Sequence, residues 1–129
     1  MESYVGKNIP RNDGYDKATG RGKFTHDIFL PHMLYAKVLR SPYAHAKVTS
    51  IDTSEAEKLK GVRAVCTFEN TTNKLFNTSA SVVTTNPGAE PVRDQTVFTG
   101  EPKYIGDEIA AVAADTEKIA EEAVKLIKV

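Results

Sequence analysis

From Met33 to Val65 the chain reads MLYAKVLRSPYAHAKVTSIDTSEAEKLKGVRAV, and its apolar spacing changes period twice. Met33–Leu39 and Ala46–Ile51 are short apolar runs of strand type, parted by a polar bend at Pro42. Proline has no backbone N–H, so a ladder must break there. Ser54 and Glu57 form an S-x-x-E pair, which predicts a helix from about Glu55 with Ala56 and Leu59 turned inward. Gly61 suits the left-handed position that follows a helix end. A third apolar run, Val62–Thr67, comes next, with Val62, Ala64 and Cys66 on one face. Two-residue alternation puts Leu34, Ala36 and Val38 on one face of the first strand and Met33, Tyr35, Lys37 and Leu39 on the other. Both faces are largely apolar, so that strand is expected to be covered on both sides.

A second unit closes the chain. Glu108–Ala114 is a near-continuous apolar run and reads as a buried strand. Asp115 or Thr116 can cap the helix that follows. Ile119, Ala123, Leu126 and Ile127 form its expected apolar stripe, while Lys118, Glu121, Glu122 and Lys125 face water. Between the two units, Val97–Phe98 and Tyr104–Ile105 read as short strands around a Gly100–Pro102 turn. Residues 1–23 are rich in turn formers and read as a lead-in arm, with one helical turn over Asp13–Ala18 ended by Gly20. Residues 69–96 read as an irregular insertion, and Glu69–Glu90 is expected to be mobile. The pattern implies one α+β domain over 1–129, built from strand–helix–strand units at Ala46–Thr67 and Glu108–Val129, with a mixed sheet.

Charge narrows the class. Seventeen Lys and Arg balance seventeen Asp and Glu, so there is no electrostatic footprint for nucleic acid or an anionic membrane surface. No apolar run approaches the roughly 20 residues that span a bilayer. A single cysteine, Cys66, cannot form an internal disulfide. That suits a reducing cytoplasm, which is the expected location.

Three segments resemble one family. LYAKVLRSPYAHAKVTSID resembles the start of the large, molybdenum-binding subunit of xanthine dehydrogenases and aldehyde oxidases. VGKNIPRNDGYDKATGRGKFTHDIFLP resembles that family's opening segment, and DQTVFTGEPKYIGDEIAAVAADTEKIAEEAVKLIKV the end of its first domain. The three occur in the family's order. Where the family often has Gly after Leu-Pro, this chain has His32. The resemblance implies an α/β-hammerhead fold and a structural N-terminal domain of a hydroxylase that takes oxygen from water. It implies molybdenum–molybdopterin in the full-length protein, with none held here. It further implies partners in the remaining domains of the large subunit and in iron–sulfur and flavin domains or subunits. The alternative is a stand-alone interaction or small-ligand-binding module of the same fold.

The residues themselves offer no catalytic constellation. His26, Asp27, His32 and His45 lack the spacing of a zinc site, and Cys66 stands alone, so no metal ligand is assigned. TGRGKFT has a Gly-Lys pair, Gly22–Lys23, but Lys17 and Phe24 occupy the places around it where a P-loop needs Gly and Ser or Thr. Ser41 lies near His45 but in no nucleophile elbow, Asp107 and Glu108 point to opposite faces, and Cys66 reads as an inert core thiol. No catalytic or cofactor-binding residue is therefore expected. The bend Arg40–Ala46 differs, because it groups a guanidinium, a phenol and an imidazole. Arg40, Tyr43 and His45 are the candidate interface residues, since Arg and Tyr are enriched at protein contacts.

Overall fold

The computed structural model describes residues 5–76 and 93–129, in two compact units, Met1–Pro31 and His32–Val129. Within the first unit, α1 (Gly14–Ala18) forms where the helical turn is expected, and Gly20 follows it at φ 71°. Asp13 accepts from Arg11 Nε at 2.8 Å and lies 2.6 Å from Lys17 Nζ. The paired Lys17 and Arg11 hold its carboxyl below the usual range. A 3-10 turn spans Thr25–Asp27, with the Phe24 N–H donating to Asp27 Oδ2 at 3.0 Å.

Among the described residues of the second unit are three strands, β1 (Tyr35–Arg40), β2 (Val62–Thr67) and β3 (Glu108–Ala114), in the order β1-β3-β2. β3 takes the centre because EIAAVAA can be buried on both sides and at both edges. The α+β class and the two strand–helix–strand units hold, but both pairings of this sheet are antiparallel rather than mixed. The reason lies in Ala46–Ile51, which joins a different partner. Ala46 N–H donates to Pro102 O at 3.1 Å and Val48 N–H to Gly100 O at 2.8 Å. Pro102 has no N–H to return, so the segment is extended without becoming a regular strand. The same proline and the turn at Gly106 keep Tyr104–Ile105 from forming a strand, and Val97–Phe98 is a bend.

Two helices cover one face of the sheet: α2 (Ser54–Lys58) and α3 (Glu117–Leu126). The start signal of α3 works, whereas the Ser54–Glu57 capping box expected for α2 does not form. Thr116 accepts from the Ile119 N–H at 3.2 Å, as its position predicts. For α2 the cap is Thr53 rather than Ser54, because Asp52 Oδ1 accepts the Ser54 N–H at 3.0 Å and Thr53 Oγ1 takes the Glu57 carboxylate at 2.7 Å. The core contains Ala56, Val65, Ile109, Ala110, Val112, Ala123 and Ile127, with Leu39, Leu59, Val62 and Val124 packed on it. Ala120 and Ala123 let α3 lie close to the sheet. Leu126, expected in the stripe, is exposed, and Ala120 and Val124 are covered instead.

Two irregularities decide which side chains point inward. The β2–β3 register shifts between Val62 and Ala64, and the β1–β3 register between Leu39 and Arg40. The first shift swings Val62 to the helix side, where Val65 and Thr67 lie. Ala64 and Cys66 then face away, so Cys66 is half-buried on the opposite face and not in the core. The second makes Ile109 the extra residue of β3, and it is buried beside Ala110. In β1 the inward residues are Tyr35, Lys37 and Leu39, while Ala36 and Val38 are exposed, so β1 is covered on one side only. Lys37 tolerates the helix side by reaching Glu117 Oε1 at 2.7 Å and Glu121 Oε1 at 3.1 Å on α3. Glu117, then Glu121, raise its pKa.

Arg63, freed by the β2 shift, grips Asp115 with two bonds of 2.7 and 2.9 Å. The guanidinium holds the Asp115 carboxyl below its ordinary range. A depressed folded pKa stabilises the fold above the unfolded value of about 3.9 and ceases to do so as pH falls through the folded value. Arg63→Gln is therefore expected to move the Asp115 carboxyl titration upward by NMR. Its stability deficit relative to the parent should shrink as pH drops below about 4. An unchanged Asp115 titration would contradict the pairing.

Lys128, near the end of the second unit, is tied in as well. Asp52 and Lys128 form an antiparallel bridge, with N–H to O distances of 2.9 and 3.1 Å. His32 adopts φ 62°, a left-handed conformation that glycine takes most easily. The expected mobility of Glu69–Glu90 falls largely on residues 77–92, which lie outside the described residues. Just before them, Asn70 and Thr71 close the end of β2: Asn70 accepts from the Thr67 N–H at 2.7 Å, and Thr71 Oγ1 donates to Thr67 O at 2.6 Å.

Candidate interaction surface

The bend after β1 is held by the turn before β3. The Ser41 N–H donates to Asp107 O at 2.9 Å, and the Gly106 N–H donates to Ser41 O at 2.8 Å. Ser41 is buried, and its hydroxyl serves its own bend, donating to Tyr43 O at 3.0 Å and accepting from the Tyr43 N–H at 3.1 Å. It is engaged locally, not aligned with His45 as a nucleophile would be. Gly106 sits at φ 97°, so the turn that meets Ser41 favours glycine.

Arg40 donates to Gly106 O at 2.7 Å and pairs with Glu108. Its guanidinium therefore fastens the β1–β3 irregularity while remaining half exposed. Tyr43 is 66% exposed. His45 Nε2 lies 3.4 Å from Glu101 Oε1, and both side chains are open to solvent. The structure thus sets Arg40 and Tyr43 on the rim of one groove of about 410 Å³, whose walls include Leu39, Pro42, Val48 and Ile109. His45 is not among its lining residues.

The acidic pair is divided between structural tasks. Asp107 Oδ2 accepts the Lys103 N–H at 2.9 Å and Oδ1 the Glu108 N–H at 3.1 Å, while Glu108 holds Arg40. A smaller polar hollow of about 230 Å³ lies beyond, lined by Gln95, Tyr104 and Asp107 among others. Tyr104 accepts from Gln95 Nε2 at 3.3 Å. Loss of water around the Tyr104 phenol, and then the Asp107 charge, raise its pKa.

Among the described residues no three His, Cys, Asp or Glu side chains gather as metal ligands. No helix among them is long and apolar enough to cross a membrane. What the arrangement can do is present a shaped, partly apolar surface. Of the three candidate interface residues, Arg40 and Tyr43 line this groove and His45 does not, while Gly106 marks the turn before β3 and Ser41 bonds the bend, as the sequence suggests.

The family model for "Aldehyde oxidase and xanthine dehydrogenase, a/b hammerhead domain" matches residues 19–129. The chain belongs to this family. It is 44% identical over 120 residues to a probable xanthine dehydrogenase subunit of Bacillus subtilis (strain 168), a match that covers 92% of this hammerhead chain and 15% of that protein. It is 34% identical over 119 residues to the xanthine dehydrogenase molybdenum-binding subunit of Escherichia coli O157:H7, covering 92% and 16% respectively. The crystal structure of quinoline 2-oxidoreductase from Pseudomonas putida 86 superposes with a TM-score of 0.81 at 29% identity, over 99% of this chain and 16% of that one. The hammerhead chain thus spans about one-sixth of the length of the relatives it matches, and those relatives bear the names of subunits.

Proposed function

We propose that this hammerhead chain is the N-terminal structural domain of the large subunit of a molybdenum hydroxylase of xanthine dehydrogenase or aldehyde oxidase type. The observation that carries the reading is the family match over 19–129 in a chain spanning only 15–16% of its relatives. The groups present do not fit a molybdopterin site. Arg40 at the groove is already engaged with Glu108 and the Gly106 carbonyl, and the groove's walls are largely apolar. No catalytic step is derived through this chain. Cofactor and catalytic base belong to other parts of the subunit, and iron–sulfur and flavin domains or subunits are the electron partners. The lone Cys66 suits a cytoplasmic setting.

Arg40, Tyr43 and His45 would then meet another part of the enzyme. Tyr43 supports this best, because its ring is exposed beside an apolar-floored groove. The test has two parts. Reading the gene past Val129 should show a long open frame, and the isolated chain should contain no stoichiometric molybdenum by mass spectrometry. Tyr43→Ala should leave the stability of the isolated chain within about 0.5 kcal/mol, while Arg40→Ala should cost it up to about 1 kcal/mol through the lost surface pair. Both should lower the molybdenum content of the complete subunit. A stop codon at Val129, or molybdenum in the isolated chain, would overturn the domain reading. Normal metal content in both variants would overturn the interface alone.

A further inference from the structure

The sheet has a second face, opposite α2 and α3. The register lines up two cross-strand rows there, Ala36–Ala113–Ala64 and Val38–Ala111–Cys66. Ala36, Val38 and Ala64 are exposed, and the other three are half-buried. Neither row contains a charged or hydroxyl side chain, in a chain that is 26% charged. An antiparallel sheet with one solvated face ordinarily alternates apolar-in with polar-out. Here the outward set is as apolar as the inward one, and its side chains are small enough for another surface to approach the backbone closely.

We propose that this face is buried in the complete subunit against an apolar surface of the same polypeptide outside these 129 residues, one that brings the large side chains this face lacks. The proposal rests on the domain reading above. Two observations select the occupant. The relatives carry about five-sixths of their length outside the matched region, so ample chain is present to cover the face. The patch is also too small for a free dimer. Six small residues expose a few hundred Å² at most, against about 1,200–2,000 Å² in a stable interface. A tethered surface needs far less, because the linker supplies a high effective concentration.

Thiol labelling tests it. Val38→Cys and Ala36→Cys are each made in a Cys66→Ser background, in the 129-residue chain and in the complete subunit. Labelling by a small maleimide is timed under native conditions. The expected result is ready labelling in the short chain and at least about ten-fold slower labelling of both positions in the complete subunit, which corresponds to about 1.4 kcal/mol of protection. Equal rates in the two proteins would overturn the proposal while leaving family membership and molybdenum content untouched. Protection that vanishes on dilution would assign the face to a second copy and also overturn it. A reading frame that closes at Val129 would remove the domain reading and this one together. Either cysteine position suffices if the other variant fails to fold.

Discussion

Ile127→Ala is expected to destabilise the domain by about 2–5 kcal/mol, whereas Leu126→Ala, one residue earlier, should cost about 1 kcal/mol or less. Ile127 is 7% exposed, and it closes the core beneath α3 against Ala56, Val65 and Val112. Removing three carbons there leaves a cavity, because the Asp52–Lys128 bridge pins the backbone on one side and α3 on the other. Leu126 is 38% exposed, so truncation returns little to water that was not already wet. Domains of this size have about 5–15 kcal/mol of total stability, so the first variant should be partly unfolded at modest denaturant. Urea melts of both variants decide the matter. Equal losses would mean that α3 is rotated about its axis relative to the structure.

Gly61→Ala is the second large effect, at about 1–2 kcal/mol. Gly61 is the third residue of a turn closed by the Val62 N–H on Leu59 O at 3.1 Å, and its φ of 95° lies where a Cβ clashes with the chain's own backbone. A Cβ would also come within 2.8 Å of Ile119 Cδ1. That methyl is the far end of a side chain and can swing away, so the backbone strain should dominate. The cycle with Ile119→Val separates the two causes. Gly61→Ala should cost nearly as much in the Ile119→Val background as in the parent, with a coupling below about 0.5 kcal/mol. Full recovery in the double variant would show that packing, not backbone conformation, made glycine necessary.

Where the sequence was legible, local physics and global packing agree. EIAAVAA reads as a buried strand and forms one, the cap of the last helix narrows to Asp115 or Thr116 and Thr116 takes it, and Gly61 has the positive φ expected after a helix end. Errors entered wherever one residue more or less changed a side chain's direction. Alternation counted straight through Val62–Thr67 placed Cys66 inside, but the shift at Arg63 turned it out. The same counting in β1 could not tell which of two apolar faces the helices would cover. Ala46–Ile51 has strand character, yet its partner carries Pro102, and no property of the segment itself reveals that. The candidate surface followed the same rule. The residue types of Arg40 and Tyr43 were visible, while the grip of Arg40 on Glu108 joins residues 68 positions apart and appears only in the fold.

The strand order also sets a timetable for synthesis. Among the described residues β1 and β2 each pair with β3 and not with one another, so neither gains a strand partner among them until residues 108–114 have been made. From the end of β1 that is a wait of several seconds at about 5–20 residues per second. β1 for all of that time, and β2 once residue 67 is made, lack the β3 partner they have in the fold. Slowing translation between residues 67 and 108 is therefore expected to increase aggregation rather than relieve it, because YAKVLR and VRAVCT wait longer for their partner strand.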